Sequence, residues 1–238
     1  MPGPFGQRVA DVALAFGAVA EQRTSQRFDT TGDSLSGLRI GVFAEHVPGI
    51  DGPDPAMIEA FENGLRRLER LGARLVPLSY PVPCAEALAV ASTVGMAESA
   101  AIHEAELTEH PDALGFALRD KLMAGAMIRA ADYLAALRAR RMIGDSLDTV
   151  LRTVDAAVGF GAHHVAPRLG VEPEMTAFTR DTALTPFNLS GHPALVQPTG
   201  LADGLPLHWQ ISAGHHDEAT IFRVAAAAEL ALIDEGKR

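Results

Sequence analysis

The chain has 238 residues, with 20 Lys and Arg against 30 Asp and Glu and a formal net charge of -10. That balance disfavours a phosphate backbone or an anionic membrane, so neither nucleic acid nor membrane is expected as a partner. Hydrophobic residues make up 47% of the chain and aromatic residues only 5%, which specifies a core of Ala, Val, Leu and Ile and one α/β domain or a piece of one.

The opening residues Met1 to Arg8 have neither the basic start nor the long apolar stretch of a signal peptide. No segment approaches the ~18 apolar residues that span a bilayer. The single Cys84 excludes an intramolecular disulfide and fits a reducing compartment, so the cytoplasm is the expected location.

Val9, Val12, Ala13, Phe16 and Val19 recur at helical spacing and predict an opening helix. Arg23 to Ser36, rich in Thr, Ser, Asp and Gly, reads as a connecting loop. Leu38 to Phe43 is a candidate buried strand. Asp54-Pro55 then offers an N-cap and a proline at the first helical position. Ile58, Phe61, Leu65, Leu68 and Leu71 form the next apolar stripe, Gly72 suits the left-handed residue at a helix end, and Arg74 to Ser79 reads as a second strand. Strand, helix and strand at this spacing predict a parallel βαβ unit.

From Cys84 to Arg152 strand signal almost vanishes, which predicts two or three helices with breaks at Pro111 and Gly125. Strand character returns at Asp155 to Phe160, Ala194 to Gln197 and Leu207 to Ser212. Asp217 caps a last helix whose buried face carries Ile221, Val224, Ala225, Ala228 and Leu232.

Few residues offer catalytic chemistry. Lys121 and Lys237 read as solvated, and Cys84, next to Pro83 at a helix start, reads as a small buried hydrophobe. The adjacent pairs His163-His164 and His215-His216, with His192 and His208, lack the spacings with which histidines chelate metals, so solvated loop histidines and no metal are expected.

The segment Thr185-Pro186-Phe187-Asn188-Leu189-Ser190-Gly191-His192-Pro193-Ala194-Leu195 resembles the C-terminal Pro-x-Asn-x-x-Gly-x-Pro-Ala motif of the amidase-signature family. Pro198-Thr199-Gly200, Asp203 to Gln210 and Asp217-Glu218-Ala219-Thr220 follow in the family's order. Upstream, Gly3-Pro4-Phe5 with Val9-Ala10-Asp11, the strand at Leu38, and Asp132-Tyr133-Leu134 with Arg140-Arg141 are also similar to it.

This resemblance implies the C-terminal portion of the amidase-signature α/β/α fold, a mixed β-sheet flanked by helices, with residues 1–238 forming one incomplete domain. It implies hydrolysis of carboxylic amides with no cofactor. The family's two serines and lysine lie N-terminal to the Gly-Pro motif, so no catalytic residue is expected in this chain, and activity would require an N-terminal amidase half. A homo-oligomer, or a non-catalytic ligand-binding or interaction module derived from an amidase, is the alternative.

The resemblance also implies that Asp181, Thr185, Phe187 and Asn188 border the substrate. Asp181 has the spacing of the Asp that holds glutamine's amino group in the amidotransferase members, but the region where its Arg partner would lie reads Arg119-Asp120-Lys121, which favours a general small-molecule amide. Gly159 to His164 stands where relatives carry a Pro- and Thr-rich pocket loop, which implies altered substrate recognition.

Overall fold

The computed structural model describes residues 3–20, 28–44, 52–180 and 184–236. Helix α1 spans Val9–Val19, and its first amide donates to the Glu229 carboxylate at 3.0 Å, tying the start of the chain to its last helix. The connecting stretch that follows carries two core anchors. Leu35 is fully buried, and the Phe28 ring lies 4.7 Å from that of Phe222.

Strand β1 (Arg39–Phe43), helix α2 (Pro55–Arg70) and strand β2 (Arg74–Leu78) form the expected βαβ unit, with β1 and β2 paired in parallel. Pro55 opens α2, and Gly72 closes it at φ +95°, a conformation an L side chain rarely adopts. The Asp54 side chain makes no capping bond; its Oδ1 instead meets His164 Nδ1 at 3.2 Å.

The middle of the chain is more divided than periodicity predicts: α3 (Cys84–Ile102), α4 (Glu104–Glu109), a 3₁₀ turn at Pro111–Ala113, α5 (Phe116–Ala126) and α6 (Ala130–Leu151). Pro111 is a break, as expected. Gly125 is not; it lies inside α5, where an added Cβ would fall 2.1 Å from the Met96 carbonyl oxygen, so glycine there permits close contact between α5 and α3.

Strand β3 (Ala156–Phe160) precedes α7 (Glu172–Arg180) and α8 (Thr185–Ser190), and β4 (Ala194–Ala202) and β5 (Leu205–Ser212) form a hairpin longer than the two short strands expected. Asp203 and Gly204 turn that hairpin with φ of 51° and 80°. The last helix, α9 (Glu218–Gly236), is capped by Asp217, whose Oδ1 accepts from the Thr220 amide at 3.3 Å and its hydroxyl at 2.8 Å.

The five strands make one mixed sheet in the order β2-β1-β3-β5-β4, parallel from β2 to β3 and antiparallel from β3 to β4. Alternation along the strands assigns each residue to a layer. Ile40, Val42, Ala156, Val158, Trp209 and Ile211 face a core shared with α1, α2 and α9, whereas Phe43 and Ala157 face one shared with α3, α6 and α8. The result is an α/β/α sandwich in which β4 is an edge strand, with Val196 and Leu201 exposed.

Candidate functional site

The candidate site is built around α8. Pro186 sits in its first turn, and Gly191 ends it in the left-handed region at φ 79°, its amide donating to the Phe187 carbonyl at 2.9 Å. Thr185, Pro186, Phe187 and Leu189 are buried, and the Phe187 ring stands edge-on to Phe43 and Tyr80 at 6.1 and 6.5 Å. From α6, the Arg140 Nε donates to the Leu189 carbonyl at 2.8 Å. The short helix is therefore held from beneath and from the side, and Asn188 is left exposed.

Asn188 faces a cavity of about 560 Å³, of the size that takes a small molecule. One wall is the entry segment Gly3 to Arg8 with Val12 and Phe16 of α1; the others are Phe187, Gly191 and His192, β4 from Ala194 to Pro198, and Ile221 and Phe222 of α9. Of the four residues expected at the substrate, Phe187 and Asn188 line this cavity, Thr185 is buried within α8, and Asp181 lies outside the described residues.

One polar cluster at the cavity has no precedent in the sequence motifs. His192, only 3% exposed, places its Nδ1 2.8 Å from Ser190 Oγ and its Nε2 3.4 Å from Asp148 Oδ1 of α6. The exposed His215 ring stacks on His192 at 3.9 Å and 19°. Burial and the neighbouring His215 hold the His192 imidazole below its ordinary pKa, against the pull of Asp148. Asp148 also pairs with Arg152; burial would raise its pKa, but Arg152 and His192 together keep it low.

The expectation of solvated histidines holds for His215 and His216 but fails for His192 and His163, both buried. The His163 carbonyl accepts the Asp54 amide at 2.8 Å, so the replaced loop at Gly159 to His164 is bound to the start of α2. Lys121 is exposed on α5, as expected, and Cys84 is buried at the first position of α3. Lys237 lies outside the described residues. No described helix is long and apolar enough to cross a membrane.

The sequence matches the family model Amidase over residues 1–222. It is 30% identical to the A chain of the glutamyl-tRNA(Gln) amidotransferase of Exiguobacterium sibiricum, covering 96% of this chain and 54% of that one. The corresponding protein of Methanosarcina acetivorans is 27% identical over 95% of this chain and 54% of its own. A crystal structure of an amidase superposes with a TM-score of 0.81 at 25% identity, covering 96% of this chain and 52% of the other. The structure of a 6-aminohexanoate cyclic dimer hydrolase shares the fold, with a TM-score of 0.79 at 24% identity, 96% of this chain and 54% of the other. The chain thus spans about half the length of the curated relatives it matches.

Proposed function

The chain belongs to the Amidase family, and on that premise we propose that it supplies the substrate-holding part of an amide-hydrolysing site whose serines and lysine come from another polypeptide segment. The observation that carries this is the cavity at Asn188, which pairs a stiff, buried α8 with one exposed amide side chain. Asn188 offers both a donor and an acceptor, the complement of a carboxamide. β4 forms a cavity wall and the free edge of the sheet, and an unpaired edge is a template for another strand. A segment docked there would set its nucleophile beside the bound amide.

Nothing among the described residues around the cavity makes a nucleophile and base of the family's kind. The one described lysine, Lys121, is exposed on α5, and the Ser190 side chain packs toward Gly144 of α6. The substrate is a small carboxamide, and the site operates in the cytoplasm without a cofactor.

The test is release of ammonia or amine from simple aliphatic and aryl amides by the purified chain, alone and mixed with the N-terminal half of a related amidase. Turnover is expected only in the mixture. Asn188→Ala should lower kcat/KM there while leaving the chain's thermal midpoint within about 1–2 °C, because exposed substitutions change stability by ~0.5 kcal/mol or less. Specific turnover by the chain alone, abolished by Asn188→Ala, would show that the nucleophile lies within it and overturn the proposal.

A further inference from the structure

Asp148, His192 and His215 place one carboxylate oxygen and two imidazole nitrogens within 4.8 Å of one another, from α6, the turn after α8 and the loop before α9. The residues converge only in the folded chain. The His192 Nε2 to Asp148 Oδ1 separation is 3.4 Å, longer than the ordinary 2.7–3.2 Å of an N–H···O hydrogen bond. Donor atoms bound to a tetrahedral zinc at about 2.0–2.1 Å stand roughly 3.3 Å apart. The pair is spaced for an ion between its members.

The second observation is the wiring of His192. Ser190 Oγ lies 3.3 Å from the Phe187 carbonyl, to which it donates, and 2.8 Å from His192 Nδ1. With the hydroxyl proton given to that carbonyl, Oγ accepts from Nδ1–H and the Nε2 lone pair is left facing Asp148. A metal-bound histidine is oriented in this manner by a partner on its other nitrogen. Asp148 has its second oxygen engaged by Arg152, which leaves Oδ1 for the ion.

We propose that Asp148 Oδ1, His192 Nε2 and a nitrogen of His215 bind one divalent transition-metal ion of the zinc class at the wall of the cavity. Two imidazoles favour zinc, cobalt or nickel over magnesium or calcium. His215 is exposed, so its ring is free to turn from the stacked position and bring a nitrogen onto the ion. Both imidazoles line the cavity, and three protein ligands leave a fourth position for water or for a ligand entering from it.

Titration of the untagged full chain with zinc by calorimetry tests this, with cobalt absorption reporting the geometry. One saturable site is expected, with a tetrahedral cobalt spectrum and no comparable magnesium binding. His215→Ala, which alters an exposed residue and spares the core, should abolish both signals, and Asp148→Asn should do the same. Ser190→Ala should weaken zinc by roughly tenfold to a hundredfold, the usual cost of losing the partner that orients a ligand. The exposed double variant His103→Ala, His110→Ala should bind as the parent does. Absence of saturable binding, or binding that survives His215→Ala, would overturn the proposal, as would binding lost in the His103, His110 variant.

Discussion

Gly64, in the middle of α2, lies against the buried Trp209 of β5, and a Cβ added there would stand 2.7 Å from Cζ3 of the ring. Such a distance forces a shift, and the ring is poorly placed to give way. Its Nε1 donates to Gln197 Oε1 at 3.2 Å, and Gln197 Nε2 donates in turn to the Ala225 carbonyl of α9 at 2.8 Å. Gly64→Ala gains about 1 kcal/mol of helix propensity. Against this stand about 1–3 kcal/mol of overpacking and about 1 kcal/mol if the ring loses its hydrogen bond. A net loss of roughly 1–3 kcal/mol follows from those terms. Gly95 in α3 is the internal control, because its Cβ would meet nothing within 4 Å; there the same substitution should stabilise by about 0.5–1 kcal/mol. Urea unfolding of both variants reads the difference as opposite movements of the midpoint at constant slope, each of a few tenths of a molar for a slope of about 3 kcal/mol/M. If Gly64→Ala raises the midpoint as Gly95→Ala does, the α2–sheet contact is not as tight as described and the reasoning fails.

Two further outcomes follow from ion pairs. Glu235 of α9 accepts from the buried Arg67 at 2.8 Å and also pairs with Arg70. Glu235→Ala strands Arg67, which is only 4% exposed. Breaking a fully buried pair costs about 3–5 kcal/mol; with Glu235 itself 42% exposed, about 1–2 kcal/mol in thermal or urea unfolding is expected, and a loss no larger than that from Glu62→Ala on the exposed face of α2 would refute it. Asp155 accepts from the Arg39 side chain at 2.9 Å and its amide at 2.7 Å, which together hold its carboxyl below 3.8. A depressed folded pKa adds stability above the unfolded value and loses it as pH falls through the folded one. Stability should therefore fall below about pH 4, and Asp155→Asn should flatten that limb; an identical acid limb in the variant would exclude the Arg39 contact as its source.

The βαβ unit is legible because its signals are local: an apolar run at β1, Asp54-Pro55 at the helix start, a 3.6-residue stripe and Gly72 at the end. The hairpin is longer than its pattern suggests because β4 carries polar residues where a strand pattern would call for apolar ones. Gln197 and Thr199 are nonetheless buried, since the first bonds to α9 and the second donates to the Ala60 carbonyl of α2 at 3.0 Å. A register shift between Pro198 and Gly200 further blurs the alternation. Gly125 misleads for a similar reason, as the close passage of α3 that demands glycine is invisible from within α5. The cluster of Asp148, His192 and His215 has no local signal, because 44 residues separate Asp148 from His192 and only the packing of α6 on α8 joins them.

That packing also divides the labour within the Asn-containing segment. Ordering a polar loop costs conformational entropy, and a site that orders its loop in advance spares a ligand that cost. Here the ordering is done by residues that do not meet the ligand's polar groups: Thr185 and Leu189 are buried, Arg140 grips the Leu189 carbonyl, and Ser190 and His192 bond to each other and across to α6. Phe187 contributes a wall that is mostly core, being only 2% exposed. Asn188 alone presents an exposed polar side chain from α8 to the cavity. A motif that reads as one unit in sequence therefore contains a frame and a contact, and substitutions in the frame should displace Asn188 as surely as removing it.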